Sequence, residues 1–146
     1  MKIVSIKKWL TLFIGAAFII LIIVHINTLF TLSQKQFQSD NIDIAFRNSF
    51  IQLCNNLNNK ATDASDKQRL YVENCKHAYL CFTVFNSTTY SNNKYMNDII
   101  LKLYNLSEDD KLYDSLDAYI IQKLNRLCQN MKDDVLIKEI HDKLCQ

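Results

Sequence analysis

The sequence predicts an all-α protein, with one N-terminal transmembrane helix followed by a small disulfide-stapled bundle of four to five short helices. Three observations support this fold class. Residues 9–32 form an uncharged apolar run. Pro is absent and the only Gly, Gly15, lies inside that run, so the tight turns that sheets need are missing. In the rest of the chain, apolar residues recur at helical spacing.

The apolar run is long enough to cross a bilayer. No Lys, Arg, Asp or Glu occurs between Lys8 and Lys35. A hydrocarbon core about 30 Å thick needs roughly 20 helical residues, and backbone groups in lipid must find their partners within the segment. We therefore expect residues 9–32 to be a helix whose partner is the lipid bilayer.

The charges on either side of the run predict its orientation. Three lysines precede it, whereas Lys35 is followed by Asp40 and Asp43. The positive-inside rule then places residues 1–8 in the cytoplasm and residues 33–146 in the periplasm or outside the cell, as in a single-pass type II signal-anchor. The alternative is a cleaved signal peptide. That alternative fits less well, because the run is too long and no small-x-small site follows it.

The exported part begins with a predicted helix over residues 36–58, which nothing between Leu32 and Gln36 separates from the membrane helix. A second helix, opened by a capping box at Ser65, extends to Phe85. Apolar spacing defines the inward face of each helix. For the first this face is Phe46, Phe50, Leu53, Cys54 and Leu57, and for the second Tyr71, Asn74, Cys75, Ala78, Phe82 and Phe85.

Three more helices are predicted after the polar segment that follows Phe85. One starts at Ser91, one is capped at Ser107 with an acidic first turn, and the last covers residues 133–145. Their inward faces are, in order, Tyr95, Met96, Ile99, Ile100 and Leu103; Leu112, Leu116, Tyr119, Ile120, Leu124 and Leu127; and Leu136, Ile137, Ile140 and Leu144.

All five cysteines lie on the side assigned to an oxidising space, where disulfides persist. Because five is odd, we expect two bridges and one free thiol. Cys54 and Cys75 are equidistant from the turn of the first hairpin, which favours a Cys54–Cys75 bridge. Either Cys128 or Cys145 should then reach Cys81. We favour Cys81–Cys128, which leaves Cys145 free.

Two chemical alternatives use the same residues. A zinc site could be drawn from Cys75, His77, Cys81, His141 and Cys145, but neither C-x5-C nor H-x3-C is a standard structural spacing. A catalytic thiol would need His77 or His141 beside it and a lowered pKa. No phosphate-binding loop, H-E-x-x-H, G-x-S-x-G or C-x-x-C motif occurs. We therefore expect no enzyme activity, catalytic residue, cofactor or metal.

The exported part is also unsuited to nucleic acid. Four of the 17 basic residues flank the apolar run, so the remainder carries 13 basic against 15 acidic residues, without a basic run. Asn86 and Asn105 begin sequons for N-glycosylation. Tyrosine is a preferred anchor in protein interfaces. The interface candidates are Tyr71, Tyr79, Tyr95, Tyr104, Tyr113 and Tyr119.

The order of an exported helical domain, a first-hairpin cysteine pair and the late segment DAYIIQKLNRLC resembles periplasmic immunity proteins of contact-dependent secretion systems. It departs from them in lacking a Gly beside Cys75 and a Pro before Cys128. The segment NCKHAYLCF is similar to the second helix of short-chain cytokines. The function expected from these features is non-enzymatic protein binding at the membrane, by an immunity or inhibitor protein or an envelope-complex subunit. The alternatives are a secreted helical ligand and a thiol or metal enzyme.

Overall fold

The computed structural model describes the backbone of residues 2–59 and 61–145, and the side chains of residues 9, 13–59 and 61–145. The described residues form six helices and no strand, which confirms the all-α class. The helices are α1 (Lys2–Leu57), α2 (Ala64–Phe85), α3 (Lys94–Glu108), α4 (Leu112–Ser115), α5 (Ala118–Gln129) and α6 (Asp134–Leu144). The chain divides into two compact units, Met1–Gln38 and Ser39–Gln146, and α1 contributes residues to both.

The first unit is an apolar helix. Its described side chains are exposed, including Phe18, Leu21 and Phe30. By length and composition, α1 is the one described helix that could cross a membrane, although a signal sequence passes the same test. The prediction of one long apolar N-terminal helix is confirmed. Its orientation stays a prediction, and the lysine side chains on which it depends lie outside the described set.

The second unit has a single apolar core, and the end of α1 packs along one side of it. All five residues predicted to face inward on this part of α1 are buried, which confirms the predicted face. At its centre, the Phe46 ring lies 6.1 Å from Phe50, 5.6 Å from Phe85 and 5.5 Å from Tyr90, measured between ring centroids. Such tilted or offset aromatic contacts add to the free energy gained by burying the rings.

Two helices are capped two residues away from the predicted positions. Asp63, not Ser65, caps α2, and its carboxylate accepts a hydrogen bond from the backbone N–H of Asp66 at 2.8 Å. Asn93, not Ser91, caps α3 by accepting from Met96 N–H at 3.1 Å. In each case the extended residue immediately before the helix supplies the cap, as helix termini require.

The prediction of the fourth helix is wrong about where the helix begins, and wrong in treating it as one continuous helix. Ser107 lies inside α3, buried, and its hydroxyl donates to the Tyr104 carbonyl at 2.7 Å. The chain then turns at Asp110, whose φ of 53° is in the left-handed region. After the single turn of α4, Asp117 starts α5 by accepting from Ile120 N–H at 2.7 Å. A cap within the expected helix therefore divides it in two.

The inward face of α2 is rotated from the predicted one. Leu70 and Cys81 are buried, whereas Phe82, which was predicted to face inward, is 37% exposed. Tyr95 on α3 and Tyr119 on α5 are likewise exposed, so their assignment to the core is wrong. The remaining apolar residues predicted to face inward on α3, α5 and α6 are buried. The rotation leaves aromatic side chains at the surface.

Candidate functional site

The structure separates the six candidate tyrosines by environment. Two of them, Tyr79 on α2 and Tyr104 on α3, meet at the surface of the second unit. The Tyr104 ring stacks on Phe82, with centroids 4.7 Å apart and planes inclined by 5°. The Tyr79 ring lies 6.3 Å from the same Tyr104 ring, inclined by 51°. These three rings form one contiguous aromatic surface that joins two helices.

Helix spacing explains how this surface arises. Tyr79 and Phe82 are three residues apart on α2, and Leu101 and Tyr104 are three residues apart on α3, so each pair lies on one face. Tyr79 is 53% exposed, Phe82 37% and Leu101 40%, whereas Tyr104 is half-buried beneath the other rings. We call these four residues the aromatic patch. Large exposed aromatic side chains grouped in this way are typical of protein-binding surfaces.

Tyr113 has a structural role. Its hydroxyl accepts a hydrogen bond from the Asn74 side-chain amide at 3.2 Å and donates to the Asn56 carbonyl at 3.1 Å. The two asparagines are buried. Tyr113 therefore connects the short helix α4 to α1 and α2, and the ring is only partly available to a partner.

Tyr71 and Tyr95 are each engaged with a neighbouring side chain. The neighbouring Cys75 thiol raises the pKa of Tyr71. The Tyr95 ring lies 4.7 Å from the imidazole of His141, whose Nε2 is 3.3 Å from a carboxylate oxygen of Asp98. Tyr95 also lines an open groove of about 1020 Å³ between the start of α3 and α6. Both charge signs line this groove, so it selects no ligand class by charge.

Tyr119 forms a small polar network between α5 and α6. Its hydroxyl donates to Glu139, and Lys123 Nζ lies 2.7 Å from the same carboxylate. The Lys123 and Tyr119 hydrogen bonds hold the pKa of Glu139 below its ordinary value of 4.5. Glu139 raises the pKa of Lys123 and of Tyr119 in turn, because both donate to it.

The network of Tyr119, Lys123 and Glu139 predicts that the stability of the fold decreases slightly at acid pH. The pKa of Glu139 is lower in the folded state than in the unfolded state. Its contribution to the free energy of unfolding is therefore complete above pH 4.5 and is lost as the pH falls through the lowered pKa. We expect the urea midpoint to decline less between pH 5 and pH 3 in Glu139→Gln than in the wild type. Glu108→Gln, which removes an exposed carboxylate on α3, is the control. Equal slopes in the wild type and Glu139→Gln would contradict the prediction.

The predicted disulfide staple is not supported, because no two of the five cysteine sulfurs, all of which the structure describes, lie at disulfide-bond distance. Cys54 and Cys128 are neighbours that shift each other's pKa, whereas the Cys75 thiol donates to the Ser107 carbonyl at 3.1 Å. The Cys81 thiol lies 4.0 Å from the Phe46 carbonyl. The symmetry argument for Cys54–Cys75 failed because Cys75 faces Ser107 on α3, whereas Cys54 lies near Cys128 on α5. Cys145, expected to be a free thiol, is half-buried at the end of α6.

The structure does not bring together the cysteines and histidines that were considered as a zinc site. Among the described residues, no three His, Cys, Asp or Glu side chains lie close enough to hold a metal ion. Burial raises the pKa of Cys75 and of Cys145, the opposite of what an activated thiol needs. Burial also lowers the pKa of His77.

Both sequon asparagines, Asn86 and Asn105, are exposed. The hydroxyl residue of each sequon is buried, however. Thr88 donates to the Phe85 carbonyl at 2.7 Å, and Ser107 donates to Tyr104 as described above. Modification by a glycosyltransferase would therefore have to precede folding of these segments.

Comparisons with protein-family models, with curated protein sequences and with solved structures found no match to this chain. The fold therefore defines a class only: an all-helical protein with one helix able to span a membrane. Sequence reasoning had selected Tyr79 and Tyr104 but missed Phe82 and Leu101. Their apolar character is compatible with a core position, so no signal in the sequence distinguished them.

Proposed function

We propose that the protein is a membrane-anchored, non-enzymatic protein-binding module, of the immunity or inhibitor type or a subunit of an envelope complex. The single observation that carries this proposal is the aromatic patch. Tyr79, Phe82 and Leu101 each expose more than a third of their surface, and the patch lies on two packed helices rather than on a loop. Rigid aromatic anchors lose little conformational entropy on binding, which suits them to recognition of another protein.

The placement of the molecule is part of the same proposal. Residues 9–32 anchor the chain, residues 1–8 remain in the cytoplasm and residues 33–146 reach the extracytoplasmic side. The length and uncharged composition of the apolar helix support the anchor, and the lysines before it support the orientation. The absence of a basic run in residues 33–146 argues for protein rather than nucleic acid as the partner.

The proposal predicts a position-dependent cross-link. A photoreactive p-benzoylphenylalanine at Leu101 should capture a partner protein when full-length chains are irradiated in native membranes. The same probe at Val135, which is 80% exposed on α6 and outside the patch, is the matched control. We expect at least a tenfold higher yield of one discrete product from position 101.

A second variant tests whether the patch itself binds. Tyr79→Ala combined with Leu101→p-benzoylphenylalanine should reduce that product about thirtyfold, because truncating a tyrosine at an interface hot spot costs about 2 kcal/mol or more. Circular dichroism should show unchanged helix content, since Tyr79 is exposed. Equal yields at positions 101 and 135, or no effect of Tyr79→Ala, would contradict the proposed surface.

A further inference from the structure

The end of α1 and helix α5 face each other through two pairs of side chains. Asn58 and Asn125 exchange two amide hydrogen bonds, each 3.1 Å long. Cys54 lies one turn before Asn58 and Cys128 lies one turn after Asn125; both pack in the apolar core, and each thiol shifts the pKa of the other. The two pairs are thus in register on antiparallel helices, and the reciprocal amide pair positions the two thiols opposite each other.

We propose that Cys54 and Cys128 form a disulfide-forming site that links the end of α1 to α5. Formation requires an external disulfide, such as oxidised glutathione or a disulfide-exchanging protein. The two sulfurs must also approach to about 2.05 Å. This pairing differs from both bridges that the sequence suggested, and it follows from the packing of α5 against α1.

The order of the exchange follows from exposure. Cys54 is 1% exposed, whereas Cys128 is partly exposed and is the thiol that an outside reagent can reach. The Cys128 thiolate attacks the external disulfide, which forms a mixed disulfide and releases one thiolate. Cys54 then loses its proton, and its thiolate attacks the Cys128 sulfur and releases the second external thiolate. The two external thiolates take up the two protons that Cys128 and Cys54 lost, so two protein thiols are oxidised and one external disulfide is reduced.

The electrostatics of the pair agree with this order. The neighbouring Cys54 thiol, together with Arg47, lowers the pKa of Cys128. Burial raises the pKa of Cys54. The exposed member of the pair is therefore also the one that more readily forms the attacking thiolate.

Cys81 is the competing thiol, and its geometry disfavours it. It is 1% exposed and its sulfur lies 4.0 Å from the Phe46 carbonyl. Cys81 is near Cys128, but burial raises the pKa of Cys81 to about 12, so it is a poor source of the attacking thiolate. We therefore expect Cys81, like Cys75 and Cys145, to remain a thiol.

The test uses full-length protein purified in detergent and equilibrated with excess oxidised glutathione at pH 8. After alkylation in denaturant without reductant, peptide mapping should recover the Cys54 and Cys128 peptides joined, and Cys75, Cys81 and Cys145 alkylated. The joined peptide should persist in Cys75→Ser and disappear in Cys128→Ser. Recovery of Cys54 and Cys128 as alkylated or singly glutathionylated residues, or of a bridge that includes Cys81, would overturn the proposal.

Two further measurements separate this site from a merely structural contact. Cys54→Ser should accumulate the Cys128–glutathione mixed disulfide, because the resolving thiol is absent. Reduction of the Cys54–Cys128 bridge in the oxidised wild-type protein should lower its melting temperature by about 10 °C, since the bridge closes a long loop. Cys54→Ser should show no such shift. Because purified protein is used, the result does not depend on the membrane side or on the partner proposed above.

Discussion

Phe46→Ala is expected to destabilise the second unit by about 3–5 kcal/mol, the usual cost of removing a buried phenylalanine ring. Phe46 is fully buried and touches aromatic rings from α1, α2 and the segment after α2. Its removal leaves a cavity that these rings, held by separate elements, cannot all close. The free energy of unfolding should be measured by urea denaturation of the full-length protein, followed by far-ultraviolet circular dichroism.

The matched control is Phe37→Ala, which truncates the same residue type on the same helix. Phe37 is 69% exposed, so its loss should change the free energy of unfolding by less than about 0.5 kcal/mol. If the two substitutions were to destabilise the protein equally, the core described for the second unit would be wrong.

Two carboxylates in the apolar helix are expected to abolish membrane retention. Each Asp near the centre of a spanning helix costs about 2.5–3.5 kcal/mol for insertion. Ile20→Asp with Val24→Asp should therefore move most of the chain out of the carbonate-resistant membrane fraction. Wild-type protein should remain in that fraction with an intact N-terminus, as seen by N-terminal sequencing.

The control places the same kind of change outside the apolar run of residues 9–32. Ile44→Asp with Val72→Asp alters two exposed apolar residues of the second unit and should leave membrane retention unchanged. A mature protein that begins after residue 32 would refute the anchor and support the secreted helical ligand instead. Retention of the Ile20→Asp, Val24→Asp chain would show that another part of the protein binds the membrane.

Much of the helical architecture could be predicted because it depends on local patterns. The faces of α6 and of the end of α1 were predicted correctly, since a single stripe of apolar residues lies at helical spacing there. On α2, apolar and aromatic residues occur on more than one face, so spacing alone could not select the buried one. Tertiary packing decided that Cys81 is buried beside Phe46 of α1 and that Phe82 stacks on Tyr104 of α3.

The cysteines also separate what local sequence predicts from what tertiary packing decides. Their number and position suggested bridges, and the arrangement of the hairpin suggested a partner for Cys54. The actual neighbour, Cys128, is 74 residues away in the chain. Only the packing of α5 on α1, with the Asn58–Asn125 amide pair one turn away, brings the two thiols together.

By itself, the sequence determined that the chain is helical and that its first apolar helix is able to span a bilayer. Both follow from composition and periodicity, which act over one or two helical turns. Tertiary structure alone decided which aromatic rings form the patch and which thiols are neighbours. Those properties depend on how one helix is rotated against another, and this rotation minimises exposed apolar area over the whole core rather than within any single helix.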